Sequence, residues 1–225
     1  MDALDAKAWI GIVRLAMVLG LATFLPAWTL AWWQAWTCIG VFVACAGAIT
    51  AYLVRHDRAL LARRVRAGPA AEKEFTQKVI QSLAFVAFLA VFVVPALDRR
   101  FGWSRVPIGI SIVGDGVVVL GFWIVFRVLR ENTFASAAIE VTSEQRVIST
   151  GPYAYVRHPM YSGALLLIVG VPPALGSWVG LGAVAPFALV IVWRLRDEER
   201  FLAKSLEGYE SYCARVRYRL VPLVW

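Results

Sequence analysis

Long apolar stretches constrain this chain more than any other feature of its sequence. A helix that crosses the hydrocarbon core of a bilayer needs about 20 apolar residues, because each residue advances the helix by about 1.5 Å. Four stretches meet that length, at residues 9–30, 35–54, 79–97 and 107–129. Hydrophobic residues fill 60% of the 225 positions and charged residues only 17%, a balance unlike that of a soluble domain. The sequence therefore predicts an all-α integral membrane protein with about four transmembrane helices.

A further apolar segment, residues 159–193, is too long for a single span. Pro172 and Gly176 interrupt it, and proline breaks a helix because it removes a backbone donor. We therefore expect a C-terminal helical hairpin with arms at about 160–171 and 177–193, of which the first is too short to cross a bilayer. Both ends of this hairpin then lie on one side of the membrane.

The sequence becomes charged after Trp193. Residues 194–206 combine charges with apolar side chains at helical spacing, which predicts an amphipathic helix on the cytoplasmic membrane surface. The tail at 215–222 alternates basic and apolar residues, which favours an extended strap with Trp225 as an interfacial anchor. The chain shows no repeat and no flexible linker, so residues 1–225 are expected to form a single domain.

The loop at 55–78 predicts the orientation, because it holds seven basic and three acidic residues. The positive-inside rule places such a loop in the cytoplasm. In the resulting topology the N-terminus and the loop at 98–106 lie outside, and the residues after Arg127 return to the cytoplasm. Three arginines in the loop at 98–106 argue against this orientation.

The net charge of +8 first suggests a nucleic-acid partner. The basic residues, however, flank apolar spans, where they determine topology and contact anionic headgroups. We therefore expect membrane lipids as partners and no nucleic acid. The three cysteines offer no framework for disulfides or for a metal, and no metal is expected.

The segment Gly151-Pro-Tyr-Ala-Tyr-Val-Arg-His-Pro-Met-Tyr-Ser-Gly163 joins the fourth span to the hairpin. Pro159 suits the first turn of a helix, so Arg157 and His158 are expected at a helix N-terminus. Such a terminus offers free N–H groups to a carboxylate or phosphate, and Arg157 can add a bidentate contact. The alternative is that Arg157 and His158 only flank a membrane helix at the interface.

Further fragments follow this segment in a fixed order. They are Glu198-Glu199, Tyr209-x-x-Tyr212-x-x-Arg215-Val216 and Pro222. With Arg157-His-Pro-x-Tyr161-x-Gly163, they make residues 127–225 resemble the isoprenylcysteine carboxyl methyltransferase family, whose general plan the phospholipid N-methyltransferases share. The resemblance implies an S-adenosylmethionine site in residues 107–225, roofed by the C-terminal helix and tail, with residues 1–106 as N-terminal spans.

The same resemblance implies roles for individual residues. The cofactor-binding candidates are Tyr153, His158, Tyr161, Gly163, Glu198 and Glu199. The family carries an arginine thought to orient the acceptor, and Arg194 or Arg196 lies where that arginine is expected. The alternatives are that Glu198 pairs with Arg194 on a solvated helix face, and that the arginines only flank the preceding span.

Other polar residues are less informative. Asn132 and Thr133 suit a turn or cap after the fourth span, although either could reach a ligand. Tyr209 and Tyr212 lie three residues apart and favour packing at the headgroup level over catalysis. Asp115 and Arg14 lie inside predicted spans, where Asp115 can face a watery cavity and Arg14 can reach the interface along its own stem.

These observations predict a membrane methyltransferase dependent on S-adenosylmethionine. Its expected acceptor is lipophilic, such as the carboxylate of a prenylcysteine-like molecule or another lipid. The sequence shows no clearly placed general base beyond His158 and the glutamates, which favours an anionic acceptor over one that must lose a proton. The residue usage suggests the inner membrane of a bacterium, with the active site facing the cytoplasm. One alternative is an NADPH-dependent membrane reductase of the sterol C14 type, which has a similar RHP-x-Y-x-G stretch; another is a non-enzymatic adaptor or transporter.

Overall fold

The computed structural model describes residues 2–66, 68–72, 74–137 and 145–225. Lys73, one of the basic residues of the loop at 55–78, lies outside these ranges. The regular elements of the described part are all helical. Its α-helices are α1 (Ala3–Ala27), α2 (Trp33–His56), α3 (Arg58–Val65), α4 (Phe75–Phe101), α5 (Ile108–Glu131), α6 (Pro159–Ala174), α7 (Val184–Ser205) and α8 (Tyr209–Arg215).

Five helical units are long and apolar enough to cross a membrane: α1, α2, α4, α5 and the unit Val179–Ser205, in which a short 3-10 turn leads into α7. The four predicted spans are confirmed, and the chain is an integral membrane protein. Helix α1 begins earlier than predicted, at Ala3. The reason is a cap that the hydrophobic pattern does not show, because the Asp2 carboxylate accepts hydrogen bonds of 3.0 Å from the backbone amides of Leu4 and Asp5.

The predicted C-terminal hairpin is confirmed, with α6 and α7 as its arms. The predicted separate surface helix at 194–206 is wrong, because α7 runs without a break from Val184 to Ser205. Pro186 stands in the first turn of α7, no proline or glycine follows it up to Ser205, and the helix ends only before Gly208, whose φ is +81°. The charged residues are therefore carried on the last turns of a spanning helix rather than on an independent element.

Helices α5 and α6 pack backbone against backbone along a line of small residues. A Cβ atom added at Gly121 of α5 would lie 2.6 Å from Leu167 Cβ and 2.8 Å from the carbonyl oxygen of Gly163 on α6. Small residues allow such close approach between membrane helices. This packing fixes α6 against α5. It thereby positions the RHP segment, Arg157-His158-Pro159, at the start of α6.

The Gly121→Ala variant is expected to lose at least about 2 kcal/mol of the free energy of unfolding, because overpacking against backbone atoms forces the helices apart. Gly116→Ala on the same helix is the matched control, since a Cβ there meets nothing within 4 Å. Unfolding of the purified proteins in mixed micelles measures both. Equal stability of the two variants would contradict the tight α5–α6 contact.

The N-terminus lies at the same end of the bundle as the basic loop. Arg58 of α3 pairs with Asp2, and its Nη2 lies 3.3 Å from Asp5 Oδ1. The prediction of opposite sides is therefore wrong, because α1 and α2 are two consecutive spans and return the chain to the end where it began. At the other end, Asp98 accepts hydrogen bonds of 2.5 Å from Ser104 and Ser177, which ties the loop after α4 to the hairpin turn.

Candidate active site

A cavity of about 490 Å³ lies at the basic-loop end of the bundle, between α6, α7, α8 and the segment after α5. Ligand sites for small molecules commonly have volumes of about 300–1,000 Å³. The predicted site residues that line it are Tyr153, His158, Tyr161, Arg194 and Glu198. The structure thus brings together five residues that the sequence separates by up to 45 positions. We call this space the active-site cavity.

The register of α7 decides which of its charged residues face the active-site cavity. Arg194, Glu198 and Leu202 follow one another at four-residue spacing and line it, as expected for one face of a helix. Arg196 and Glu199 lie on another face, along a separate shallow groove that also contains Arg200. The guanidinium of Arg196 stacks on Trp225 at 5.9 Å. Arg196 and Glu199 therefore do not line the active-site cavity, although Glu199 contacts His158, which does.

Gly163 does not line the active-site cavity. It faces α5, where an added Cβ would lie 3.0 Å from the carbonyl oxygen of Gly121 and 3.1 Å from Ile124 and Val125. This placement explains a glycine at the end of the RHP-x-Y-x-G stretch by helix packing alone.

Arg194 is the most connected polar residue of the site. It is 6% exposed, and its guanidinium donates hydrogen bonds of 2.9 Å to Gln77 and to Glu72, of 3.0 Å to the carbonyl of Ala137 and of 3.1 Å to the Tyr161 hydroxyl. The interpretation of Arg194 as an exposed flank of the preceding span is thereby contradicted. The donors of Arg194 are thus engaged by protein groups.

Tyr161 connects Arg194 to Glu198. Its hydroxyl accepts from Arg194 Nε and donates to the Glu198 carboxylate at 2.5 Å. Arg194 and Glu198 do not pair directly within 4.0 Å in the described part of the chain, so the alternative of a surface ion pair between them is wrong. The Glu198 carboxylate is held by Tyr161 at the wall of the cavity.

Glu199 joins the RHP segment to the C-terminal tail, residues 216–225. Its carboxylate lies 3.2 Å from Arg157 Nη1, 3.3 Å from His158 Nε2 and 2.9 Å from Arg219 Nε. The backbone amides of Arg157 and His158 donate to the tail carbonyls of Tyr218 and Arg219 at 2.9 and 3.0 Å. We call the carboxylate and its three partners the Glu199 cluster. The cluster holds α7, the RHP segment and the tail together.

The start of α6 offers fewer free donors than expected for an anion site. Pro159 has no N–H group, and the amides of Tyr161 and Ser162 donate to the carbonyl of His158 at 3.0 and 3.1 Å. Arg157, the expected bidentate partner of an anion, faces Glu199 instead. In the structure the RHP arginine is thus engaged within the protein.

Two tyrosines of α8 cover the active-site cavity. Tyr209 and Tyr212 are 5% and 2% exposed and line it, so both side chains pack inside the protein. The Tyr212 hydroxyl donates to the carbonyl of Tyr153 at 2.8 Å. The buried Tyr209 hydroxyl has no hydrogen-bond partner in the described part of the chain, which leaves it as a donor for a ligand.

Asn132 also belongs to the cavity wall. Its side-chain amide donates to the Tyr153 hydroxyl at 2.9 Å, while its oxygen accepts from the Phe134 amide as a turn residue would. Burial raises the pKa of Tyr153 to about 12, so this phenol stays protonated at neutral pH and keeps a proton to donate.

Sequence reasoning did not select Glu72, Gln77 or Arg64 for the site. Glu72 and Arg64 belong to the basic loop, whose charges indicated only topology, and Gln77 opens α4. The sequence signal for Glu72 was its acidic side chain within a basic loop. In the structure Glu72 is only 4% exposed. Its partner Arg194 is 122 positions away, a pairing that spacing alone does not show.

Comparison with known proteins places this site in a family context. Residues 110–208, which include most of α5, all of α6 and α7 and most of the cavity lining, match the family model of the phospholipid methyltransferases. The chain is 27% identical over 153 residues to the protein-S-isoprenylcysteine O-methyltransferase of Schizosaccharomyces pombe, covering 62% of this chain and 56% of that one. The predicted family resemblance is confirmed. It extends beyond the C-terminal half from which it was predicted.

Other relatives match a shorter part of the chain. A Delta(14)-sterol reductase of Mus musculus is 31% identical over 90 residues, which is 39% of this chain and 22% of the reductase. A cobalt-zinc-cadmium resistance protein of Cupriavidus metallidurans is 34% identical over 70 residues, or 31% of this chain and 32% of that protein. The chain thus spans about a fifth of the mouse reductase and about half of the methyltransferase.

Proposed function

We propose that this protein is an integral membrane methyltransferase that uses S-adenosylmethionine to methylate a lipophilic acceptor. The observation that carries the proposal is the position of the active-site cavity. Most of the residues that line it belong to the segment that matches phospholipid methyltransferases, and it is bordered by helices that continue into the membrane. A polar cofactor and an apolar acceptor can meet at such a place.

The residues of the cavity fit the polar groups of S-adenosylmethionine. The Glu198 carboxylate suits its ammonium or its ribose hydroxyls, and the partnerless Tyr209 hydroxyl can donate to an acceptor atom. His158 lines the same space and remains the candidate for the carboxylate. When bound, S-adenosylmethionine supplies a methyl group on a sulfonium; the carbon–sulfur bond breaks as the bond to the acceptor forms.

The protein groups would act by alignment and by exclusion of water. Arg194 fixes Tyr161, and Tyr161 fixes Glu198, so the orientation of one cofactor ligand depends on a buried network. Tyr209 and Tyr212 cover the cavity from the α8 side. If the acceptor is a carboxylate, no proton has to be removed, and the chain needs no dedicated base at the acceptor.

The location proposed for this reaction is the cytoplasmic face of a bacterial inner membrane. The cavity lies at the end of the bundle that carries the basic loop, and Arg194 contacts Glu72 of that loop directly. By the positive-inside rule this end faces the cytoplasm, where S-adenosylmethionine is made.

A membrane reductase is the second candidate, favoured by the matches to two sterol reductases over 90 residues each. Binding of S-adenosylmethionine and of NADPH to the purified protein in nanodiscs separates the two. We expect saturable binding of S-adenosylmethionine and transfer of its labelled methyl group to a component of native membrane extract. Binding of NADPH alone would favour the reductase, and binding of neither would favour an adaptor or transporter.

The Glu198→Gln variant is expected to bind S-adenosylmethionine about 10- to 100-fold more weakly, because a hydrogen bond to a charged group contributes about 1.5–3 kcal/mol. The matched control is Glu207→Gln, an exposed glutamate beyond the end of α7. Isothermal titration calorimetry measures both variants. Unchanged affinity in Glu198→Gln would remove Glu198 from the cofactor site.

A further inference from the structure

Asp115 lies inside the span α5, and the proposed reaction does not use it. Its side chain is buried, with 8% exposed. At about 1.5 Å per residue it lies about 10 Å beyond the start of α5 at Ile108. This start belongs to the end of the bundle opposite the basic loop, which we call the outer end. A carboxylate at such a depth is costly unless protein groups or a bound ion compensate for its charge.

A second buried carboxylate at the outer end shows how the fold can compensate for such a charge. Asp98, near the end of α4, accepts hydrogen bonds from the amide of Ser104 at 2.7 Å and from the hydroxyls of Ser104 and Ser177 at 2.5 Å. Asp115 has no such partners among the described residues. Its Oδ1 is buried without a hydrogen bond, and no ion pair within the described ranges includes Asp115. The described part of the fold thus satisfies Asp98 and leaves Asp115 uncompensated.

The basic residues of the outer end do not supply the missing charge. Arg99, Arg100 and Arg105 are exposed, and the Arg100 guanidinium stacks on Trp28 at 5.4 Å. Their charged groups therefore lie at the surface, whereas the Asp115 carboxylate lies within the bundle. An ionised Asp115 is thus expected to take its counter-charge from solution.

Ser111 lies one helical turn before Asp115, on the same face of α5. Its hydroxyl is fully buried and has no hydrogen-bond partner in the part of the chain that the structure describes. Hydroxyls on other spans behave differently, since those of Thr37, Thr50 and Ser82 donate to the carbonyl four residues earlier at 2.8–3.0 Å. The Ser111 hydroxyl makes no such bond to its own helix. It is therefore free to contact a ligand beside the carboxylate.

Helix α2 brings two further polar groups to the same place. It packs against α5, and its residues Gln34 and Cys38 also lie one turn apart on one face. A Cβ atom added at Gly176, in the hairpin turn, would lie 3.5 Å from Gln34 Nε2 and 3.9 Å from Ser111 Oγ. Cys38 lies close enough to Asp115 for the two groups to interact electrostatically. The polar residues of α2 and α5 therefore meet in two adjacent turns.

The groups that meet here suit a small, hard cation. A carboxylate, a hydroxyl and an amide each offer an oxygen atom, the donor that hard cations prefer. A monovalent cation neutralises the single carboxylate, whereas a divalent ion would leave a net positive charge inside the membrane. Gln34 is half-buried at the start of α2, which gives an ion access from the outer surface.

We infer that the outer end of the bundle binds a small monovalent cation such as Na⁺, held by the Asp115 carboxylate, the Ser111 hydroxyl and the Gln34 amide oxygen. The ion joins α2 to α5 beside the hairpin turn and stabilises their packing. This site goes beyond the proposed function, because Asp115 lies about 25 Å along α5 from Asn132 at the active-site cavity. Cation binding and methyl transfer can therefore fail independently.

The first test measures binding of radiolabelled Na⁺ to the purified protein in detergent micelles, with N-methyl-D-glucamine chloride as the background salt. The wild type is expected to bind the label saturably, and excess unlabelled Na⁺ is expected to displace it. Asp115→Asn is expected to reduce the affinity for Na⁺ at least about tenfold, because an amide cannot supply the compensating charge.

The matched control for Asp115→Asn is Asp98→Asn, which changes the other buried carboxylate of the outer end. An amide oxygen can still accept hydrogen bonds from Ser104 and Ser177, so this variant is expected to bind Na⁺ as the wild type does. Absence of saturable binding to the wild type would overturn the inference and indicate that Asp115 is protonated or hydrated. Equal affinity of Asp115→Asn and the wild type would overturn it as well.

The second test compares thermal unfolding in Na⁺ and in N-methyl-D-glucamine at equal ionic strength. A cation that binds only the folded state raises the unfolding temperature, so the wild type is expected to unfold at a higher temperature in Na⁺. Asp115→Asn is expected to unfold at one temperature in both salts and to match or exceed the wild type without Na⁺, because it removes a buried charge. If the carboxylate is only structural, its loss lowers stability equally in both salts, and that result would overturn the inference.

A third variant, Ser111→Ala, removes one oxygen ligand and keeps the carboxylate. It is expected to raise the Na⁺ concentration for half-maximal stabilisation at least about threefold. Ser82→Ala is the matched control, because Ser82 is exposed and its hydroxyl bonds to its own helix; its Na⁺ dependence is expected to equal that of the wild type. Equal Na⁺ dependence of Ser111→Ala and Ser82→Ala would overturn the site as inferred, because Ser111 would then not contact the ion.

Discussion

Replacement of Arg194 by leucine is expected to lower the free energy of unfolding by about 3 kcal/mol and to abolish methyl transfer. Breaking a buried ion pair by removing one partner typically costs about 3–5 kcal/mol, because the remaining charge stays buried. The Glu72 carboxylate, with a side chain 1% exposed, would lose its ion pair with Arg194. Gln77 and Tyr161 would lose hydrogen bonds at the same time. Among the described residues of the site, Arg194 has the most hydrogen-bond partners to lose.

Arg200→Leu is the matched control for Arg194→Leu, because Arg200 is exposed on the same helix. It is expected to change stability by less than about 0.5 kcal/mol. Arg194→Lys should be intermediate, since one ammonium cannot reproduce the planar fork that reaches Glu72, Gln77 and Tyr161 together. Unfolding in mixed micelles measures stability, and transfer of labelled methyl measures activity. Equal stability of Arg194→Leu and Arg200→Leu would contradict the role assigned to the network.

The positioning role of Arg194 can be separated from its contribution to stability. Its effect on the site passes through Tyr161, whose hydroxyl accepts from Arg194 and donates to Glu198. Tyr161→Phe removes this link and leaves the pairing of Arg194 with Glu72. Weaker cofactor binding in Tyr161→Phe with near wild-type stability is the pattern expected of a positioning chain, and a purely structural Arg194 would not produce it.

The membrane-spanning architecture followed from sequence because its cause is local. A stretch of about 20 apolar residues has few folds open to it in lipid other than a helix, so α1, α2, α4 and α5 appear where they were predicted. The break between α6 and α7 followed from Pro172 and Gly176 in the same way. The end of α7 did not, because a change from apolar to charged residues resembles the start of a new element, although no residue in 194–205 breaks the helix.

The site was only partly predictable because neighbouring residues take different roles. Glu198 and Glu199 are adjacent in the sequence, and a helix points adjacent side chains about 100° apart. Which of them faces the cavity depends on the packing of α7 against α4 and α6, which no local pattern contains. The same holds for Arg64, since its place at the cavity wall depends on how α3 packs against α1 and α2.

The Glu199→Gln variant is expected to be less stable by about 3 kcal/mol and to release the C-terminal tail. An amide carries no charge, so Arg157, whose side chain is 9% exposed, would stay buried without its ionic partner, and Arg219 would lose its ion pair. Thermal unfolding measures the first effect. Limited trypsin digestion followed by mass spectrometry measures the second, because cleavage after Arg217 or Arg219 requires the tail to leave the RHP segment.

Glu207 is exposed beyond α7, so Glu207→Gln is expected to have the stability and the trypsin pattern of the wild type. Glu198→Gln is expected to weaken cofactor binding without releasing the tail. A tail that is protected equally in Glu199→Gln and Glu207→Gln would contradict the clamp formed by the Glu199 cluster. The contrast arises because one carboxylate faces a cavity and the next faces three basic side chains. Although the two glutamates are adjacent in one sequence motif, Glu198→Gln is expected to weaken cofactor binding, whereas Glu199→Gln is expected to lower stability and release the tail.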